Sequence, residues 1–289
     1  MLEVHESQTA KFLKNRILDI LKKYHLSVEQ LFSITTDNGA NMLAAAKKLQ
    51  QEYALQVHAD HETVNEGEAD QTREEHFTES LTTELKDHLN IIRCAIHTLQ
   101  LALNDVVGNN DDTMRVVTNI AKSTKKVKYN QFFDYNKGKR PPLWSPTRWN
   151  GKYKLVKSFV NQEQFFVALG EQYPELALDD ETWSFIKEYE AAFRPFNKAT
   201  KLMQTQHQPF SEFYMQWLDA IRELKKLQNN RFVAPLSKEL MTRLEKLKGN
   251  DLFRASLVLD PRFNFLGSQV LTTEEKEQTQ VDHTQVDQT

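Results

Sequence analysis

The chain reads as an α/β segment that gives way to an all-helical one. Apolar residues fall into two short β-prone runs, both in the first third. From about residue 147 they recur at helical spacing with no convincing strand. Glycine and proline number only 8 each among 289 residues, too few for a turn-rich all-β fold.

Residues 8–25 open the chain as an amphipathic helix, with Phe12, Ile17, Ile20 and Leu21 near helical spacing. Leu31 to Thr36 follow as a buried strand, ended by Asp37-Asn38-Gly39. A helix is predicted from Asn41 to Tyr53. Residues 58–76 carry Asp60, Glu62, Glu66, Glu68, Asp70, Glu74 and Glu75 with few apolar partners, which predicts an acidic loop. Ile91 to Ala95 form the second strand and run into a helix carrying His97, Leu99, Leu101 and Leu103.

Residues 122–140 are basic and aromatic together. Lys122, Lys125, Lys126, Lys128, Lys137, Lys139 and Arg140 interleave with Tyr129, Phe132, Phe133 and Tyr135. Cations neutralise phosphates and aromatic rings offer stacking faces, so this stretch is the candidate nucleic-acid surface. The competing reading is a solvated basic face whose Phe132 and Phe133 point into the core. Pro141, Pro142 and Pro146 then exclude a helix. A clear helix starts near Asp179-Asp180, carries Trp183, Ile186, Tyr189 and Phe193, and is kinked or ended by Pro195. Later helices carry Trp217 and Ile221, then Leu236, Leu240, Leu244 and Leu247. After Phe265 the chain is polar and repetitive, which predicts disorder.

The formal net charge of -3 gives no whole-chain basic signature, so any nucleic-acid surface must be local. A single cysteine excludes an intramolecular disulfide. No apolar run reaches the roughly 20 residues that span a bilayer, and no glycine-rich phosphate loop or small-molecule site is legible. The expectation is a chain without a membrane partner or a small-molecule substrate.

Four motifs occur in order: ITTDNGANM (34–42), RCAIHTLQLALND (93–105), SPTRWNGKY (145–153) and LDPRF (259–263). Together they resemble the hAT transposase family, the group that includes Activator-like and zinc finger BED domain-containing proteins, over roughly residues 8–266. The resemblance implies a partial RNase H-like catalytic core over residues 1–145, a helical insertion domain over 146–266 and a polar tail over 267–289. It implies that Asp37 is the second of three catalytic carboxylates. It makes Cys94 and His97 a structural family motif, with zinc disfavoured by the lack of further cysteines. Arg148 and Trp149 match an Arg-Trp pair whose Trp stacks on a base in the family; packing between core and insertion is the alternative for Trp149. Lys125, Lys126, Lys128, Lys139 and Arg140 complete the DNA-binding candidates.

The family's first Asp and final Glu have no counterpart in the sequence, nor has its dimerisation segment. Two-metal phosphoryl transfer needs several converging carboxylates, and Asp37 alone would leave Mg²⁺ or Mn²⁺ unpositioned. The expectation is therefore a transposase-derived nuclear protein, catalytically inactive, with no cofactor of its own, that binds DNA or acts through protein contacts, a homo-oligomer included. Two alternatives stand beside it. One is a truncated version of an active metal-dependent transposase. The other is a protein-interaction scaffold built on the helical domain.

Overall fold

A parallel pair of short strands and a succession of helices make up the chain. In the computed structural model the described residues are 9–37, 39–63, 89–108, 112–144, 149–204, 208–265, 268, 270 and 271. The coarse expectation of an α/β segment followed by helices holds. The chain divides into two compact units, residues 1–97 with 247–289, and residues 98–246.

In the first unit, α1 (Ala10–Lys23) starts at Thr9, whose side chain accepts from the backbone N–H of Phe12. A 3-10 turn (Val28–Gln30) leads to β1 (Ser33–Thr36). The α2 helix (Ala40–Thr63) carries the chain across to β2 (Asn90–Arg93). The two strands pair in parallel, with Ile34 opposite Ile91 and Thr36 opposite Arg93. A parallel pair needs a long crossover rather than a tight turn, and α2 is part of it. Leu21, Val28, Leu49, Tyr53 and Leu89 form the core here, with Ile17, Leu18, Leu31 and Ile34 packed against it. Short α11 (Asp251–Val258) is capped by Asn250, whose amide also reaches the carbonyl oxygen of Ile91 at 3.4 Å.

Three sequence expectations are corrected in this unit. The first strand, expected to be buried over Leu31 to Thr36, runs only from Ser33 to Thr36 and is buried only at Thr36. The helix expected to stop at Tyr53 continues to Thr63, so residues 58–63 are helical rather than loop. Ala54, Leu55, Gln56, Ala59 and Glu62 are good helix formers, and the hydrophilicity of their neighbours alone does not end a helix. The second strand ends at Arg93, two residues early, because Ala95 already begins α3 (Ala95–Val107). The rest of the acidic stretch, residues 64–76, lies outside the described residues, as do Asn38 and the tail from 272.

The second unit is helical: most of α3, then α4 (Asp112–Ser123), α5 (Asn130–Tyr135), α6 (Trp149–Val160), α7 (Glu163–Gln172), α8 (Asp180–Met203), α9 (Phe210–Lys225) and most of α10 (Val233–Lys248). Helix α8 is its spine. Asp179 caps it, accepting from the Thr182 N–H at 2.8 Å. A hydrogen bond from the Thr182 side chain, then the backbone amides of Thr182 and Asp179, hold the Asp179 carboxyl below its usual range. Helix α8 continues through Pro195 to Met203, so of the kink or end expected there the end does not occur. Proline removes one backbone donor, and the burial of Phe193, Phe196, Ala199 and Met203 outweighs that loss. Tyr189 and Phe193 stack at 4.1 Å, and Phe232 meets both edge-on. Tyr153 of α6 donates to Glu190 Oε1 at 2.9 Å, and Arg194 pairs with the same carboxylate. Among the described residues no helix is long and apolar enough to cross a membrane.

Candidate nucleic-acid interface

The basic stretch folds as the end of α4, a 3-10 turn (Val127–Tyr129), α5 and an extended exit through Pro142. Buried Thr124 closes α4, its hydroxyl donating to the Ala121 carbonyl at 2.8 Å. The lysines on either side, Lys122, Lys125 and Lys126, point to solvent.

Aromatic residues in the stretch divide sharply. Tyr129, Phe132 and Phe133 are buried. Tyr129 meets Tyr173 edge-on at 4.9 Å, and Phe132 and Phe133 lie 5.3 and 4.9 Å from Phe165. Tyr135 is 85% exposed and is the ring available for stacking.

The cations divide too. Lys128 donates to Glu175 Oε1 at 2.6 Å, and the Tyr129 hydroxyl donates to the same oxygen at 3.0 Å. The Lys128 hydrogen bond, helped by a backbone amide and Tyr129, pulls the Glu175 carboxyl down to about 2. The same bond raises Lys128 above the usual lysine value. Arg140 is a clasp: Nε donates to the Thr124 carbonyl at 3.1 Å, Nη2 to Asn130 Oδ1 at 2.6 Å, and the guanidinium lies 4.5 Å from the Phe133 ring centre. Lys128 and Arg140 are thus engaged within the fold. Lys122, Lys125, Lys126, Lys137 and Lys139 are exposed, and no carboxylate among the described residues forms a salt bridge with any of them.

The exit loop is shaped by local geometry. Lys137 has a left-handed backbone (φ 52°). Gly138 follows, where an added Cβ would lie 2.1 Å from the Phe165 ring. The sequence alone does not single out Gly138, Phe165 or Gln162, whose roles depend on neighbours distant along the chain.

Of the remaining predicted residues, Arg148 lies outside the described residues. Trp149 is 1% exposed and packs near Tyr153 and Phe193, at 6.1 and 6.3 Å between ring centres. The ring is buried among residues of its own helical unit, with no face open to a base. In the other unit, the register puts Asp37 and Cys94 at the same, C-terminal end of the strand pair, joined by a 2.8 Å bond from the Cys94 N–H to the Thr36 carbonyl. His97 lies one turn on, in α3. Exposed Asp37 accepts from the Gly39 N–H at 3.0 Å, a local turn at the start of α2. Strand C-termini in parallel sheets are where ligands commonly sit. Among the described residues no three His, Cys, Asp or Glu side chains converge there or elsewhere.

No protein-family model matches the chain, and a search of curated proteins finds no match either.

Proposed function

We propose that this chain is a hAT-transposase-derived, nuclear nucleic-acid-binding protein that holds the phosphate backbone with the α4–α5 basic face and does not itself cut DNA. The observation that carries the binding part is the run of exposed lysines, Lys122, Lys125, Lys126, Lys137 and Lys139, without carboxylate partners among the described residues, beside the exposed ring of Tyr135. Lysines without salt bridges in an otherwise acidic chain are poised to exchange counterions for phosphates. The family assignment rests on the four ordered motifs. The expected absence of cutting is supported by Asp37 having no two further His, Cys, Asp or Glu side chains gathered beside it among the described residues, where two-metal chemistry needs several.

The test is fluorescence anisotropy with hairpin and single-stranded oligonucleotides across a salt series. Binding should weaken steeply with salt. Lys125→Gln/Lys126→Gln should flatten the slope by roughly 0.7–0.9 for each phosphate that the variant no longer neutralises. Salt-insensitive binding, or none at low salt, contradicts the reading. A nicking and strand-transfer assay with Mg²⁺ or Mn²⁺ should give no product; cleavage lost in Asp37→Ala would identify an active transposase instead.

A further inference from the structure

Tyr135 differs from the other aromatic residues of the basic stretch: it is 85% exposed, where Tyr129, Phe132 and Phe133 are 9% or less. Its place on the surface is set by buried neighbours. Phe133, two residues back and so on the far side of the helix, packs on Phe165. Just after Tyr135, the Asn136 side chain donates to the Phe132 carbonyl at 3.0 Å, and the Gly138 N–H donates to the Phe133 carbonyl at 3.0 Å. The backbone is therefore held on both sides of the ring.

Cations share the segment. Lys137 follows in the turn and Lys139 in the exit loop, both exposed. Arg140 donates to the Thr124 carbonyl at 3.1 Å, which draws that loop to the end of α4, where Lys125 and Lys126 begin. Exposed lysines without salt bridges among the described residues, in a chain of net charge -3, complement a polyanion. An anionic membrane and a nucleic-acid strand both meet that description. The exposed large apolar side chains of the stretch are Val127 and Tyr135, far less apolar surface than an interfacial helix lays into a bilayer. For a base, one ring is enough.

Both faces of a base inside a duplex are covered by its neighbours, so a protruding ring reaches one only where the strand is unpaired. A ring already held in place also loses little freedom on stacking. We propose that the α4–α5 face takes unpaired rather than duplex nucleic acid, with Tyr135 stacking on a base while the exposed lysines hold the flanking phosphates. This rests on the basic-face reading above and adds the kind of strand that the face selects.

The test is fluorescence anisotropy with the full chain at fixed low salt and three probes. One is a mixed-sequence single strand of about 12 nucleotides, within the usual footprint of a stacking site. The second is the same strand annealed to its complement. The third is an abasic strand of equal length, which keeps the phosphates and lacks the bases. Tyr135→Leu should weaken single-strand binding about fivefold and leave the abasic strand and the duplex within about twofold. Tyr135→Trp should bind the single strand at least as tightly as wild type. The duplex is judged by its response to Tyr135→Leu rather than by its affinity, because its denser charge strengthens phosphate binding by itself. Lys125→Gln/Lys126→Gln should weaken all three probes. An unchanged single-strand affinity in Tyr135→Leu overturns the stacking, and so does an equal loss on all three probes. Salt-dependent binding that persists in either case leaves the basic-face reading standing alone. Binding to none of the probes removes both readings, and capture by phosphatidylserine vesicles instead would assign the face to a membrane.

Discussion

Gln162 holds the backbone of Lys139 at both of its polar groups: Oε1 accepts from the Lys139 N–H at 2.7 Å, and Nε2 donates to the Lys139 carbonyl at 3.0 Å. This pairing ties the exit of the basic loop to the start of α7 and fixes where the Lys139 side chain leaves the surface. Gln162→Leu should cost about 1–2 kcal/mol in urea unfolding, two modest hydrogen bonds' worth. It should also weaken oligonucleotide binding, although no charge has changed. Full-strength binding in the variant would show that the loop's shape does not matter to it.

Gly138 sets the same loop from the other side. A methyl group there meets the Phe165 ring at 2.1 Å. That ring cannot simply swing away, because it packs on Phe132, Phe133 and Phe166. Gly138→Ala is expected to destabilise by about 1–3 kcal/mol through overpacking. A thermal melt that matches wild type would mean that the aromatic cluster yields freely.

Trp149 separates packing from stacking. Its burial predicts that Trp149→Phe lowers the melting temperature while oligonucleotide affinity stays within about twofold, as expected for independent sites. A large loss of affinity at unchanged stability would place the indole at the nucleic acid.

The Tyr153–Glu190–Arg194 cluster makes stability depend on pH. Burial alone would raise the Glu190 carboxyl, but the hydrogen bonds from Arg194 and Tyr153 and nearby positive charge overcome it, so its pKa lies below the ordinary glutamate value. The tyrosine is pushed above its usual range, by burial first and then by the glutamate. A depressed carboxylate stabilises the folded state fully above its unfolded pKa, about 4.3, and loses that contribution as pH falls through the folded one. Urea midpoints should therefore fall more steeply between about pH 5 and pH 3 in wild type than in Glu190→Gln. Parallel curves would remove Glu190 from the account.

The strand pair was legible because two short β-prone runs stand out, Leu31–Thr36, ended by the turn residues Asp37-Asn38-Gly39, and Ile91–Ile92. Other features were not, for identifiable reasons. The last turns of α2 are rich in polar residues, and composition read them as loop although the backbone stays helical. Pro195 counts as a helix breaker only where tertiary packing does not hold the helix. Lys128 and Arg140 carry the same positive charge as Lys125 and Lys126. What separates them is Glu175, Asn130 and the Phe133 ring, partners that no local spacing reveals. The bond from Trp144 to Thr118, 26 positions back along the chain, was equally hidden.

The most direct measurement is the salt dependence of hairpin-DNA binding for wild type beside a chain carrying Lys125→Gln, Lys126→Gln, Lys137→Gln and Lys139→Gln. Wild-type affinity should fall log-linearly with salt, and the quadruple variant should bind weakly with a slope shallower by about 3. Identical slopes for the two chains would contradict the claim that these exposed lysines hold the phosphate backbone.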